Sequence, residues 1–159
     1  MLLRIELQKK GKRVLIINYA DLLKFYCKKY FGWDGEKDEH GRTLLQKIGT
    51  EKVRNKNNNF WVDRVIDFAI IFEEDYDYIL IPDCRFKNEI ERWNENKFNY
   101  ISLRVERLNY QNSLTPEQQL HISETALDNY EFDYYIKTKN KEELEQEVSK
   151  FIKYLEGKI

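Results

Sequence analysis

An α/β fold, with a mostly parallel sheet covered by helices on both faces, is predicted by three features of this chain. Short apolar runs rich in β-branched residues alternate with longer segments whose apolar residues recur at helical spacing. The run Tyr78-Ile79-Leu80-Ile81-Pro82 leads directly into Asp83-Cys84-Arg85 and then into helix formers. That is the pattern of a buried parallel strand delivering charged groups to its carboxyl end, the edge where open α/β sheets bind ligands. A length of 159 residues suffices for a real core and predicts one domain, residues 1–159.

The elements follow in order. Arg13 to Asn18 is a compact β-branched run and reads as a strand. Asp21 can cap the next segment, where Leu22, Leu23, Tyr26, Cys27, Tyr30 and Phe31 form a helical stripe ended by Gly32-Trp33-Asp34-Gly35. Glu36 to Gly41 is a polar loop, Thr43 to Ile48 a short helix closed by Gly49, and Asn55 to Asn59 a loop. Phe60 to Phe72 is helical through Trp61, Val65, Phe68, Ala69 and Phe72; Tyr78 to Pro82 is a strand and Lys87 to Trp93 a helix. Tyr100 to Val105 is a strand followed by a polar stretch to Pro116, and Leu114 to Asp128 carries a short helix. Phe132 to Ile136 is the last strand and Lys141 to Leu155 an amphipathic helix. For Met1 to Leu7 the alternation of Leu3, Ile5 and Leu7 allows a strand, and the spacing of Leu2, Leu3, Glu6 and Leu7 equally allows a helix.

Composition narrows the function classes. Hydrophobic content of 42% with 35% charged residues describes a soluble globular protein, and a net charge of -1 gives no reason to expect nucleic acid or an anionic membrane as partner. No apolar run approaches the ~20 residues that span a bilayer, and the basic N-terminus lacks a signal-peptide core. Cys27 and Cys84 lack metal-ligand spacing, so buried free thiols in a reducing, cytoplasmic setting are expected.

Two groups could carry chemistry. Arg42 and Arg54 bracket a short helical unit; arginine forks match phosphate oxygens and Gly49 would allow close backbone approach, but two solvated arginines and a C-cap glycine explain the same residues. Asp83 and Arg85, presented together at a strand end, suit a phosphorylated substrate near a metal or a reacting hydroxyl.

The order of Ile17-Asn18-Tyr19-Ala20-Asp21-Leu22-Leu23-Lys24, Trp33-Asp34-Gly35, Gly41-Arg42-Thr43-Leu44-Leu45-Gln46, Gly49-Thr50, Phe60-Trp61, Pro82 to Glu89 and His121-Ile122-Ser123-Glu124-Thr125-Ala126-Leu127 resembles the phage and bacterial deoxynucleoside monophosphate kinases, from about Lys10 to about Ile136. The resemblance implies a three-layer P-loop kinase fold and transfer of the ATP γ-phosphoryl group to a deoxynucleoside monophosphate with Mg2+. It implies that Asp21 faces the acceptor nucleotide or its cations, and that Arg42 and Arg54 clamp the acceptor phosphate. Tyr19 and Trp61 would line the base or sugar pocket, with a core role equally open for Trp61. Asp83 would orient magnesium through water, Arg85 would contact a phosphate during transfer, and Arg104 and Arg107 would flank a closing lid and stabilise the transferring group. An alternating solvated strand end accounts for Arg104 and Arg107 as well. His121, Ser123 and Glu124 match a family stretch, with Ser123 and Glu124 also readable as the cap of the helix through Ala126.

The family begins with a strand, a GxxxxGK[ST] loop and a helix, because consecutive backbone N–H groups at a helix N-terminus must cradle the donor phosphates. Here Gly11-Lys12 is followed by Arg13 and a strand, and Gly157-Lys158 lies beside the C-terminus, so neither is that loop. The expectation is a chain truncated relative to the family, lacking the central first strand and the ATP-phosphate site, with Met1 to Lys10 as the remaining helix. It is therefore expected to have little or no kinase activity alone, with a homodimer or partner chain filling the gap in the sheet. A non-catalytic nucleotide-binding or sensing protein and a structural subunit are the alternatives.

Overall fold

The computed structural model describes residues 1–96, 98–108 and 114–158. The chain is a mixed helix and strand protein that divides into two compact units, Leu15–Cys84 and the combination of Met1–Val14 with Arg85–Ile159.

In the unit 15–84, β1 (Val14–Ile16, beginning at the boundary) pairs with β2 (Tyr78–Leu80), and the pairing continues past β1 as the Ile17 N–H donates to the Leu80 carbonyl at 3.1 Å. Helix α2 (Ala20–Tyr30) follows and stops at Gly32, whose φ of 68° is the left-handed conformation glycine tolerates. Helix α3 (Glu39–Gln46) starts earlier than the sequence suggests. Asp38 is its N-cap, accepting the Gly41 N–H at 2.7 Å, so the expected Glu36–Gly41 loop is half helix.

Gly49 does not close this helix. The chain continues as a π-helical segment, Lys47–Arg54, in which the Asn55 N–H reaches the Thr50 carbonyl at 3.0 Å. Packing overrides the glycine signal here. Gly49 is buried, an added Cβ would stand 2.7 Å from Leu23 Cδ2, and its carbonyl accepts the Trp61 indole N–H at 3.0 Å. Helix α4 (Phe60–Ile71) buries Trp61, Val62, Val65, Ile66 and Ala69. Phe68, expected on that stripe, is exposed. Cys27, Trp33 and Ile48 form a core cluster with Leu23, Leu44 and Leu45 against it.

In the other unit, α1 (Leu2–Lys9) is a helix, and it buries Leu3 and Leu7. It packs on α8 (Lys141–Glu156), whose buried face is Val148, Phe151, Ile152 and Leu155, and Lys10 pairs with Glu156 at 2.8 Å. Asn140 caps α8 through the Glu143 N–H at 2.8 Å. The short helix α5 (Lys87–Glu91) runs into a 3-10 turn, Arg92–Glu95. Strands β3 (Leu103–Arg107) and β4 (Tyr134–Thr138) pair in parallel, from Leu103 opposite Tyr134 to Arg107 opposite Thr138, and α8 covers β4. Between them lie α6 (Pro116–Leu120) and α7 (Ile122–Thr125). β3 begins three residues and ends two residues later than its apolar run suggests, and β4 lies two residues later. A clasp at their start explains the offset: Asp133 Oδ2 accepts the Ser102 N–H at 2.8 Å and its hydroxyl at 2.6 Å, while the Ser102 hydroxyl accepts the Asp133 N–H at 3.0 Å. The polar stretch expected to close as a lid falls partly at 109–113, outside the described residues.

Candidate functional site

The apolar β2 run delivers Asp83 to the start of α2. The carboxylate takes the two backbone N–H groups that open this helix, Tyr19 N–H to Oδ1 at 2.9 Å and Ala20 N–H to Oδ2 at 3.0 Å. A helix start has N–H groups without intrahelical partners and a partial positive charge, so a carboxylate is the complementary group there. Asp83 thus caps α2 from 64 residues away in sequence. Asp21 does not cap α2: it lies in the first turn, exposed, and its Oδ2 accepts the Asn18 side-chain amide at 2.9 Å and the Asn18 N–H at 3.2 Å. Tyr19, Asp21 and Asp83 are therefore neighbours at one helix start, with the Tyr19 side chain buried.

Arg42 and Arg54 lie near the two ends of the continuous arm formed by α3 and the π-helical segment. With 54 − 42 = 12 positions between them, the rise is on the order of 15 Å. Both are half-buried, and Arg54 Nη1 donates to the Asn58 carbonyl at 3.4 Å. Gly41, beside Arg42, is required by packing: an added Cβ would stand 2.1 Å from the Glu36 carbonyl, which accepts the Trp33 indole N–H at 2.8 Å. Trp61 is 3% exposed and packs edge-on to Phe60 at 4.8 Å, so its ring belongs to the core. It also lines an apolar hollow of about 350 Å³ with Tyr26, Tyr30, Phe31, Phe60 and Lys52.

In the other unit, Arg85 is held at both ends. Its backbone N–H donates to Glu89 Oε2 at 2.7 Å, and the Phe86 N–H reaches the same oxygen at 3.1 Å. Its guanidinium Nη1 donates to the Ser123 carbonyl at 3.3 Å and pairs with Glu124 Oε1. Arg104 and Arg107 both lie within β3. Arg104 stands 3.7 Å from Glu106, its neighbour on the same strand face, and 5.8 Å from the Phe132 ring; Arg107 is exposed.

Several residues with definite work went unassigned in the sequence. Glu89 is 3% exposed and fixes the Arg85–Phe86 backbone; its place three residues after Phe86, at the head of a helix, was the available signal. The cap of α7 is His121, not Ser123 or Glu124: its Nδ1 accepts the Ser123 N–H at 3.2 Å and lies 2.8 Å from the Ser123 hydroxyl. Neither cysteine is in a disulfide; burial pushes the Cys27 thiol pKa up, while Cys84 is only half-buried.

The profile of deoxynucleotide monophosphate kinases matches residues 10–151. The chain belongs to this family. No curated protein matches it. Among the described residues, no group of three or more His, Cys, Asp or Glu side chains could hold a metal ion, and no helix is long and apolar enough to cross a membrane. Magnesium usually keeps several waters and takes one or two carboxylates plus substrate phosphates, and each Asp83 oxygen retains a further lone pair beyond its N–H bond. Asp83 therefore fits a water-mediated hold on the magnesium that this kinase family implies.

Proposed function

We propose that this kinase-family chain binds a deoxynucleoside monophosphate and does not by itself transfer a phosphoryl group from ATP. Arg42 and Arg54 supply positive charge for the acceptor phosphate, with Tyr19, Asp21 and Trp61 shaping the nucleoside side of the site. Asp83 holds α2 at its start and would hold magnesium through water, where the ion would supply charge neutralisation for bound phosphates. Arg85, Arg104 and Arg107 carry further positive charge suited to phosphate oxygens; in a complete kinase such groups would stabilise the transferring phosphoryl group. The family match over residues 10–151 carries the acceptor half of this reading.

The donor half rests on an absence within these 159 residues: no GxxxxGK[ST] occurs among them. Scattered arginines cannot replace a ring of backbone N–H groups at a helix N-terminus, because only the latter surrounds the β-phosphate with fixed donors. ADP formation from ATP with each deoxynucleoside monophosphate tests this: no turnover above background is expected, and robust turnover overturns it. The setting is cytoplasmic.

A further inference from the structure

Arg85 is anchored in an unusual division of labour. Its backbone is fixed by a carboxylate sealed from water, that of Glu89, at 3% exposure. Its side chain is gripped by one nitrogen only: Nη1 takes both the Ser123 carbonyl and the Glu124 carboxylate. Nε and Nη2, the opposite edge of the planar fork, meet no hydrogen-bond acceptor among the described residues, and the side chain is 47% exposed.

Such an ion pair adds little to stability, because an exposed pair is screened by water and opposed by side-chain entropy, for a net of about 0–1 kcal/mol. Ordering the side chain has a different use. A free arginine carries about 2 kcal/mol of rotamer entropy that any ligand must overcome. A guanidinium already held at one corner offers its remaining two parallel N–H groups preorganised for a ligand with two oxygens. The turn that does the holding is itself braced, since His121 caps it and Leu127 buries its far end.

We propose that Glu124 is a positioning residue that presents the Nε–Nη2 edge of Arg85 to the oxygens of a phosphate group. This rests on the monophosphate-binding reading above. Glu124 touches no ligand in this scheme; it acts through Arg85 alone.

A double-mutant cycle tests it. Wild type, Glu124→Gln, Arg85→Ala and the double variant are titrated calorimetrically with the four common deoxynucleoside monophosphates, with circular dichroism as the control for folding. Glu124→Gln is expected to weaken binding on the order of tenfold when Arg85 is present, and to add nothing on the Arg85→Ala background. Unchanged affinity in Glu124→Gln, or a loss that persists without Arg85, overturns the proposal. If wild type binds no monophosphate, the preceding functional reading fails, and Glu124 is judged from nitrogen-15 spectra of the Arg85 guanidinium. Slow rotation in wild type that is released in Glu124→Gln sustains the positioning role; free rotation in both overturns it.

Discussion

Asp83 accepts the backbone N–H of Tyr19 at 2.9 Å, joining the end of one strand to the start of the helix that follows another. With the Ala20 N–H at 3.0 Å on its second oxygen, a single carboxylate satisfies two donors that α2 cannot satisfy internally. Asp83 thereby has a structural task that needs no ligand.

Asp83→Ala should therefore lower stability even without nucleotide. Two partly buried donors lose a charged acceptor, for a loss of about 1–3 kcal/mol. Urea denaturation followed by circular dichroism measures it. Asp83→Asn, which keeps one acceptor oxygen, should fall between wild type and alanine.

Gly41→Ala should destabilise the unit 15–84 although alanine favours helices. The new methyl would meet a backbone carbonyl at 2.1 Å, which cannot swing aside as a side chain could, and would crowd the Trp33 indole at 2.7 Å. Overpacking of this kind costs about 1–3 kcal/mol. A lowered melting temperature with altered tryptophan fluorescence is expected; unchanged stability would contradict the packing account of this glycine.

The strand-level fold was legible because apolar runs mark strands wherever they fall, as Val14–Ile16 and Tyr78–Leu80 do. Asp83 was legible as a strand-end acid, but its partners were not. A side chain meeting backbone N–H groups 63 and 64 residues away leaves no periodic trace in a sequence. Gly49 misled for a related reason. A helix-ending glycine and a glycine making room for Leu23 look identical until the third dimension brings Leu23 alongside. His121 capped a turn where Ser123 was the expected cap, since an imidazole acceptor is an uncommon substitute for a hydroxyl.

The clasp between Ser102 and Asp133 should add an acid-side stability dependence. The Ser102 hydroxyl bonded to Asp133 holds that carboxyl below its ordinary 3.8, a preference for the charged form in the folded state. The contribution is present above that ordinary value and is lost as pH falls through the depressed folded one. Ser102→Ala removes the largest cause and leaves the Ser102 backbone N–H bond to Asp133 in place. Its melting temperature should fall relative to wild type at pH 6, and the gap should narrow as pH drops below 3.8.

Arg42 and Arg54 are proposed to form an acceptor-nucleotide site within 159 residues that contain no GxxxxGK[ST] motif. Calorimetric titration of the wild-type chain and Arg54→Ala with deoxynucleoside monophosphates tests it most directly. Saturable binding by wild type, weakened at least several-fold in a folded Arg54→Ala, is the predicted result. No heat of binding with any deoxynucleoside monophosphate, from a chain that circular dichroism shows to be folded, would contradict it.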